Sequence, residues 1–275
     1  MTGGPEQQLP EQADRPGVGE TLSAAAALMR DHPRETMLPL LAVQAPLVIG
    51  TILVTILLYS SVFANEVYPR GGITGVTEGG GQALVFGLVL AVALVFGSVG
   101  VGATVVSIGA IAQGRSLGLS EAFDPAFSRL GGLLGVTGIL LLGSVALAAL
   151  AGTGVLILAI AALAALLYFA TRLGITYQVF VLEEVGPVQA VGESWRRMQG
   201  NMLPLLGILL VILAVVALIG LLVPASPGPG SLAREWRMAI DALLRILQGG
   251  IVIPVAAFAH AAITLYYLRI REETS

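Results

Sequence analysis

Five long runs without an ionised side chain most strongly constrain how this chain can fold. Asp, Glu, Lys and Arg are all missing from residues 36–65, 79–114, 130–171, 198–233 and 246–268. A helix of about 20 apolar residues crosses a bilayer core, so each run can supply one span and the longest can supply two. Only 11% of the residues are charged, whereas a soluble domain has about 25%. The sequence therefore predicts an all-α polytopic membrane protein.

We expect six transmembrane helices, with limits set by the turn-forming residues and charges around the runs. The turn AGTG at 151–154 divides the longest run, and the proline-rich PASPGPG at 224–230 ends the fifth span. The runs are continuous and lack the two-residue alternation of barrel strands. The predicted spans are about 37–63, 83–112, 130–150, 155–182, 202–223 and 246–268.

The distribution of arginine predicts the orientation in the membrane. All fourteen basic residues are Arg, and with six spans both termini lie on one side. Four arginines (Arg70, Arg234, Arg237 and Arg245) fall on the opposite side, and the other ten fall on the side of the termini. Cytoplasmic loops carry the excess of basic residues. We therefore expect both termini in the cytoplasm and a location in the cell membrane. Residues 1–18 are polar and are expected to form a disordered tail.

The pentapeptide MLPLL occurs twice, at 37–41 and 202–206. Aligning the copies places AAALMRDHPRETMLPLL over AVGESWRRMQGNMLPLL, and EAFDPAFSRLGG at 121–132 aligns with QAVGESWRRMQG, with Arg129 over Arg197. Each copy precedes an odd-numbered span. We interpret the chain as three repeats of one unit, made of an interfacial helix, a sharp elbow and two spans. The alternative is a chance recurrence in a Leu-rich chain.

The segments before these spans have the pattern of helices that lie in the headgroup layer. In the third segment one face carries Val188, Val191, Trp195 and Met198, and in the first segment one face carries Leu22, Ala25 and Met29. The interfacial helices are expected at about 20–33, 120–129 and 187–199. A fourth helix, at about 231–245, either lies on the outer membrane surface or continues into the last span. The expected anchors at the interface are Phe127, Arg129, Trp195, Arg196 and Arg197.

The segment EVGPVQAVGESWRRMQG at 184–200 resembles the membrane domain attached to some glycerophosphoryl diester phosphodiesterases, and also many standalone prokaryotic membrane proteins of unknown function. The resemblance rests on Glu184, Gly186-Pro187, Ala190, Ser194-Trp195 and Gly200. The ending TLYYLRIREE is similar to the terminal signature of that family, except that Leu268 stands where an Asp is expected. The resemblance implies six spans and a membrane role. It does not imply phosphodiesterase chemistry, which belongs to a separate soluble domain.

Residues suited to catalysis are scarce. The chain has no cysteine and two histidines, His32 and His260, and it contains no HExxH motif or paired metal-ligand spacing. We therefore expect no enzyme activity, no cofactor and no metal site. Nucleic acid is not expected as a partner, because no basic stripe is present. A stripe of small residues on the second span (Ala93, Gly97, Gly100, Thr104 and Ser107) indicates close helix packing.

Three polar residues within spans are the candidates for function. Arg172, in the fourth span, either extends to the headgroups, pairs with Glu183 or Glu184, or binds an anionic lipid. His260, in the sixth span, makes a structural hydrogen bond or serves as a proton relay, and Gln44, in the first span, bonds across helices. The leading hypothesis is a non-enzymatic membrane protein that organises lipids, and possibly other membrane proteins, through its interfacial helices. The alternative is a small transporter or lipid-handling permease that uses the interior of the bundle.

Overall fold

The computed structural model describes residues 17–59, 80–152, 155–222 and 234–274. This part of the chain consists of helices joined by short turns and contains no β-strand, which confirms the all-α prediction. The helices within the described residues are α1 (Val18–Asp31), α2 (Pro33–Tyr59), α3 (Gly80–Ala112), α4 (Leu119–Ser128), α5 (Leu130–Ala151), α6 (Leu156–Leu173), α7 (Thr176–Leu182), α8 (Pro187–Arg197), α9 (Met202–Leu222) and α10 (Arg234–Thr274).

Five helical stretches among the described residues are long and apolar enough to cross a membrane, as expected of a multi-pass membrane protein. They are Leu90–Ala112, Leu130–Leu150, Leu156–Leu182, Met202–Leu221 and Ile246–Glu273. Helix α2 covers most of the predicted first span, and the remaining residues of that span, 60–63, lie outside the described part. The count of six spans therefore stays a prediction.

Short helices occupy the three segments where interfacial helices are expected. Helices α1, α4 and α8 each end shortly before a long helix begins, with His32, Arg129 and residues 198–201 at the three elbows. Each short helix follows a glycine in extended conformation. Helix α1 begins slightly earlier than expected, because Gly17 is its N-cap and Val18 is its first residue. Residues 1–16 lie outside the described part of the chain.

Two expected boundaries differ from the structure. Of the two alternatives for the segment 231–245, the structure supports continuation into the last span, since its described residues from Arg234 onward belong to α10, which extends beyond 268 to Thr274. The reason is local: no proline separates Arg234 from the apolar run, and Leu, Arg and Glu favour helix at both ends. The fourth span is divided between α6 and α7 at Gly174, where a Cβ atom would lie 2.8 Å from the Ala170 carbonyl oxygen.

Helix α3 is the central helix of the bundle. It packs against α2, α4, α5, α7 and α10, and half of its apolar span is buried, whereas the spans of α5, α6 and α9 are mostly exposed. Small residues permit this position, because a Cβ atom on Gly100 would lie only 3.2 Å from the Val43 Cβ. Thr104 and Ser107 of the predicted small-residue stripe are also buried. The stripe is therefore a packing surface at Gly100, Thr104 and Ser107, as predicted, whereas Ala93 and Gly97 line a cavity.

The three short helices pack in a cyclic pattern. Helix α1 lies against α9 and α10, α4 against α2 and α3, and α8 against α5, α6 and α7. Each short helix thus contacts the pair of long helices that precedes its own pair, and α1 closes the cycle on the last pair. The contacts use alanines that the sequence alignment superposes, Ala25, Ala122 and Ala190, and all three are buried.

All three short helices lie at one end of the bundle, where the first long helix of each pair begins and the second one ends. Three hydrogen bonds tie these ends together: Ser107 Oγ to Glu35 O at 2.7 Å, Arg129 Nη1 to Phe180 O at 2.9 Å, and Tyr266 OH to Asn201 O at 2.6 Å. A salt bridge between Glu20 and Arg269, at 3.7 Å, joins α1 to the end of α10.

The apolar faces of α1 and α8 point into the protein more than predicted. On α8 the buried stripe is Ala190, Ser194 and Met198, so the expected membrane face that includes Met198 is wrong. Residues four apart share one helix face, and small residues at 190 and 194 allow that face to approach α5 and α7 closely. On α1, Leu22, Ala25 and Met29 do share a face, but this face packs against the core.

Candidate functional site

A partly open cavity of about 190 Å³ lies between the helices of the bundle. It is lined by residues of α2, α3, α5, α7 and α10. Each of the three pairs of long helices therefore contributes to its wall, although α6 and α9 do not. Apolar side chains form most of its wall, and the polar side chains are Gln44, Ser98, Thr137, Tyr177 and His260. The structure thus brings together Gln44 and His260, the two residues that the sequence indicated as a possible intramembrane polar site.

Three hydroxyl groups form a chain along one wall of this cavity. Ser98 Oγ lies 2.7 Å from Thr137 Oγ1, which lies 2.5 Å from Tyr177 OH. Ser98 also lies 2.6 Å from the Leu94 carbonyl oxygen, and Thr137 lies 2.8 Å from that of Leu133. The three hydroxyl hydrogens can fill at most three of these four contacts. No hydroxyl hydrogen is therefore left over, and toward the cavity these groups can only accept hydrogen bonds.

Gln44 and His260 differ from the hydroxyl chain, because neither side chain makes a hydrogen bond with the residues that the structure describes. Gln44 lies on α2 and His260 on α10, and both line the cavity. The predicted structural hydrogen bonds of these two residues are thus not formed within the described part. An amide and a neutral imidazole each offer both a donor and an acceptor, so these two groups remain available to a bound molecule.

Arg172 lies near the end of α6 and faces the last turns of α8. Its Nη1 donates a hydrogen bond to the Trp195 carbonyl oxygen at 3.1 Å, and Ser194 Oγ donates to the Arg172 carbonyl oxygen at 2.9 Å. The guanidinium carbon lies 5.1 Å from the centre of the Trp195 ring and 5.5 Å from that of Tyr168. The Nε atom is buried and has no hydrogen-bond partner among the described residues.

The carboxylate expected to pair with Arg172 pairs with another arginine. Glu183, just after α7, accepts hydrogen bonds from both terminal nitrogens of Arg197, one of them at 2.9 Å. The Tyr267 hydroxyl donates to the same carboxylate, and Arg271 Nε lies 3.9 Å from it. The proposed Arg172–Glu183 pair is therefore not formed. We call the group of Glu183, Arg197, Tyr267 and Arg271 the charge clamp, because it joins α7, α8 and α10.

The charge clamp shifts the pKa values of its members outside the spans. Burial by itself raises the pKa of the Glu183 carboxyl, but the hydrogen bonds from Arg197 and Tyr267 and the charges of Arg197 and Arg271 outweigh burial and lower that pKa below its ordinary value. The hydrogen bond to Glu183 is the main reason why the pKa of Arg197 is raised. Both side chains are thus held in their ionised forms.

The other predicted anchors have separate positions. Arg129 donates to the carbonyl oxygens of Phe180 and Val185, at 2.9 and 2.7 Å, and therefore caps the end of α7 rather than facing headgroups alone. Arg196 is exposed and pairs with Glu193, and Phe127 is exposed beside Phe123. Glu184 is also exposed, in a left-handed backbone conformation with φ of 54°.

Sequence reasoning missed five polar residues of these sites, among them Arg271 of the charge clamp. Ser98, Thr137 and Tyr177 line the cavity, and Tyr267 belongs to the charge clamp. Hydroxyl residues are common in apolar spans, where they usually bond to their own helix. The signal that could have found Ser98 is its place beside Gly97 in the small-residue stripe. No sequence signal links Thr137 to Tyr177, because they lie on different helices.

No protein-family model matches this chain, and comparisons with curated proteins and with solved structures found no match.

Proposed function

We propose that this protein is a non-enzymatic integral membrane protein that organises anionic lipid around the ring of α1, α4 and α8. The observation that carries the proposal is Arg172, a guanidinium that has no acidic partner among the described residues and lies beside Trp195 at the end of an apolar span. A cation at this depth is costly without a counter-charge. A lipid phosphate would supply that charge, and an arginine can bind it with two nitrogens.

The surroundings of Arg172 suit a lipid headgroup. Tyr168, Phe169 and Trp195 pack edge to face or tilted around it, with ring centres 5.7 to 5.8 Å apart. Trp and Tyr favour the layer between headgroups and acyl chains. Tyr168 and Phe169 are themselves exposed, so a bound lipid can lay its chains beside α6 while its phosphate reaches Arg172.

Exposed apolar side chains near the short helices support contact with lipid along the ring. Val188 at the start of α8 is 76% exposed, Leu203 at the start of α9 is 80% exposed, and Phe127 on α4 is 53% exposed. Such side chains are favourable on a surface that meets acyl chains. Other membrane proteins can use the same apolar surface, which makes them the second class of expected partner.

We further infer that the chain consists of three repeats and that the ring faces the cytoplasm of the cell membrane. The cyclic packing of α1, α4 and α8 and their superposed buried alanines support the repeat. The arginine distribution supports the orientation. The resemblance to the phosphodiesterase-associated membrane domain supports a membrane role without phosphodiesterase chemistry. Reporter fusions at both termini should read cytoplasmic, and readings on opposite sides would contradict the six-span count.

The test of the lipid proposal compares purified wild type with Arg172→Ala, Arg172→Lys and the control Arg196→Ala. Thermal melts are recorded in detergent with added phosphatidylglycerol or, for comparison, neutral phosphatidylcholine. A ligand at about 100 times its Kd stabilises the folded state by about 2.7 kcal/mol. Wild type and Arg196→Ala should gain stability from the anionic lipid alone. Both Arg172 variants should lose that gain, because lysine cannot reproduce the planar fork of arginine.

Two results would contradict the proposal. If Arg172→Lys keeps both the stability and the lipid response of wild type, Arg172 is only an anchor that needs a long cationic stem. If wild type responds equally to the anionic and the neutral lipid, no phosphate site exists at this arginine.

A second function, that of a small transporter or permease, is favoured by one specific observation. The mostly apolar cavity contains Gln44 and His260, which offer hydrogen bonds between the helices of the bundle. Transporters place substrate sites near the middle of the membrane between repeated units. Solute uptake by proteoliposomes tests this function. The transport proposal would be rejected if no solute enters the proteoliposomes faster than it enters protein-free vesicles.

A further inference from the structure

We propose that the cavity lined by Gln44 and His260 binds a small uncharged molecule that both donates and accepts hydrogen bonds, of the polyol or simple amide class. This inference deepens the second function proposed above, and it rests on the cavity rather than on Arg172. The cavity lies among α2, α3, α5, α7 and α10, so a molecule bound there would contact all three pairs of long helices.

The chemistry of the wall selects an uncharged molecule. Among the residues that the structure describes, no Asp, Glu or Arg lines the cavity. An ion buried in an apolar bundle needs a partner of opposite charge, and the wall offers none. His260 does not change this conclusion, because an imidazole is largely neutral at pH 7.

The same wall selects a molecule with both donors and acceptors. Gln44 presents two amide hydrogens and one oxygen, and a neutral His260 presents one donor and one acceptor. The chain of Ser98, Thr137 and Tyr177 has no hydroxyl hydrogen to spare and can only accept. A purely apolar molecule would leave these groups unpaired, whereas a hydroxyl or amide group would satisfy them.

The size of the cavity limits the molecule. An engineered apolar cavity of about 150 Å³ in another protein holds benzene, so a cavity of about 190 Å³ suits a molecule of roughly six heavy atoms. Glycerol has this size, and acetamide is slightly smaller. A whole lipid does not fit, which separates this site from the lipid site proposed at Arg172.

The experiment uses three probes of nearly identical shape and different charge: acetamide, acetate and acetamidinium. Saturation-transfer NMR on the methyl protons of each probe measures its contact with the full-length protein in detergent. Acetamide should show transfer that excess glycerol removes, while acetate and acetamidinium should show only the background seen with empty micelles.

Variants locate the binding. Gly97 lines the cavity, and a Cβ atom added there meets no atom within 4 Å, so Gly97→Leu fills the cavity without a clash at the backbone. Gly87 lies on the same helix, is exposed and is equally open, and Gly87→Leu is the matched control. Gly97→Leu should abolish transfer to acetamide and Gly87→Leu should retain it. Gln44→Leu should weaken binding about fivefold through the loss of one hydrogen bond.

The outcomes separate this inference from transport. Equal transfer to all three probes, or unchanged transfer in both Gly97→Leu and Gln44→Leu, would overturn the proposed site. Binding of acetamide without uptake by proteoliposomes would support the site and reject transport. Uptake of a charged solute that Gly97→Leu blocks would support transport and overturn the uncharged class. If Gly97→Leu fails to fold, Gln44→Leu with the three probes decides the result.

Discussion

Replacement of Arg197 by methionine should destabilise this protein far more than the same replacement of its neighbour Arg196. Both are arginines near the end of α8, both have a carboxylate partner, and methionine replaces only the apolar stem of the side chain. They differ in their surroundings. The side chain of Arg197 is 16% exposed and binds an equally buried Glu183 through two nitrogens, whereas that of Arg196 is 70% exposed and pairs with Glu193.

The size of the difference follows from burial. Removing one member of a buried pair costs about 3–5 kcal/mol, because the remaining charge is left without compensation. Here the hydroxyl of Tyr267 and the charge of Arg271, 3.9 Å away, still stabilise Glu183, so we expect about 2–3 kcal/mol for Arg197→Met. An exposed pair contributes about 0–1 kcal/mol, so Arg196→Met should cost less than about 1 kcal/mol.

Thermal unfolding of the two variants in one detergent measures this difference. At roughly 2–4 °C per kcal/mol for a chain of this size, Arg197→Met should melt about 5–10 °C below wild type and Arg196→Met within about 3 °C of it. The double variant Arg197→Met with Glu183→Gln should recover part of the loss, because it removes the unpaired charge. Melting of the two single variants at the same temperature would refute the reasoning that the charge clamp joins α7, α8 and α10.

Further predictions concern packing, pH and the membrane surface. Ala25→Leu should lower stability by about 1–3 kcal/mol in thermal melts, because Ala25 is buried against the bundle. Ala26 is exposed on the same helix, so Ala26→Leu should melt like wild type. Equal effects of the two substitutions would contradict the packing of α1. The pKa of Glu183 is lowered in the folded state, so its ionised carboxylate stabilises the protein above the ordinary carboxyl pKa of about 4.3, and this stabilisation is lost as the pH falls through the folded pKa. Melting temperatures of wild type and Glu183→Gln should therefore converge as the pH is lowered from 7 to 3. A constant difference between the two melting temperatures would argue against an ionised Glu183. A spin label at Val188 should contact lipid and one at Gln189 water, and equal water contact at both sites would remove the membrane surface proposed for α8.

The sequence predicted the helices well and their faces less well. Helices α1, α4 and α8 begin within two residues of their expected starts, because glycine and proline near those starts act locally. The face of α8 was misjudged, since the period of its apolar residues allows either Val188 or Met198 to mark the buried side. Small residues decide between them: Ala190 and Ser194 lie on the side that approaches other helices, and Met198 follows them into the core.

The candidate sites were also predicted only in part, because the sequence indicated single residues but not their partners. Arg172, Gln44 and His260 were identified from the sequence because a polar residue in an apolar span is unusual wherever it lies. Their partners were not, because a partner is a property of two helices. Glu183 is close to Arg172 along the chain, yet it binds Arg197, since the break at Gly174 and the turn after α7 direct it toward α8.

What the sequence alone determined is the class of this protein: long charge-free runs can be stable only where water is absent, and a chain in lipid satisfies its backbone by forming helices. Composition and spacing therefore decide the apolar helices and the short polar helices between them. Only the tertiary structure decided that α3 is central, that α1 packs against the last pair of long helices, and that Gln44 and His260 share one cavity. The physical reason is that lipid is as apolar as the helices, so hydrophobicity does not determine which helix packs against which. The pairing is determined instead by shape, by small residues and by a few hydrogen bonds between distant positions.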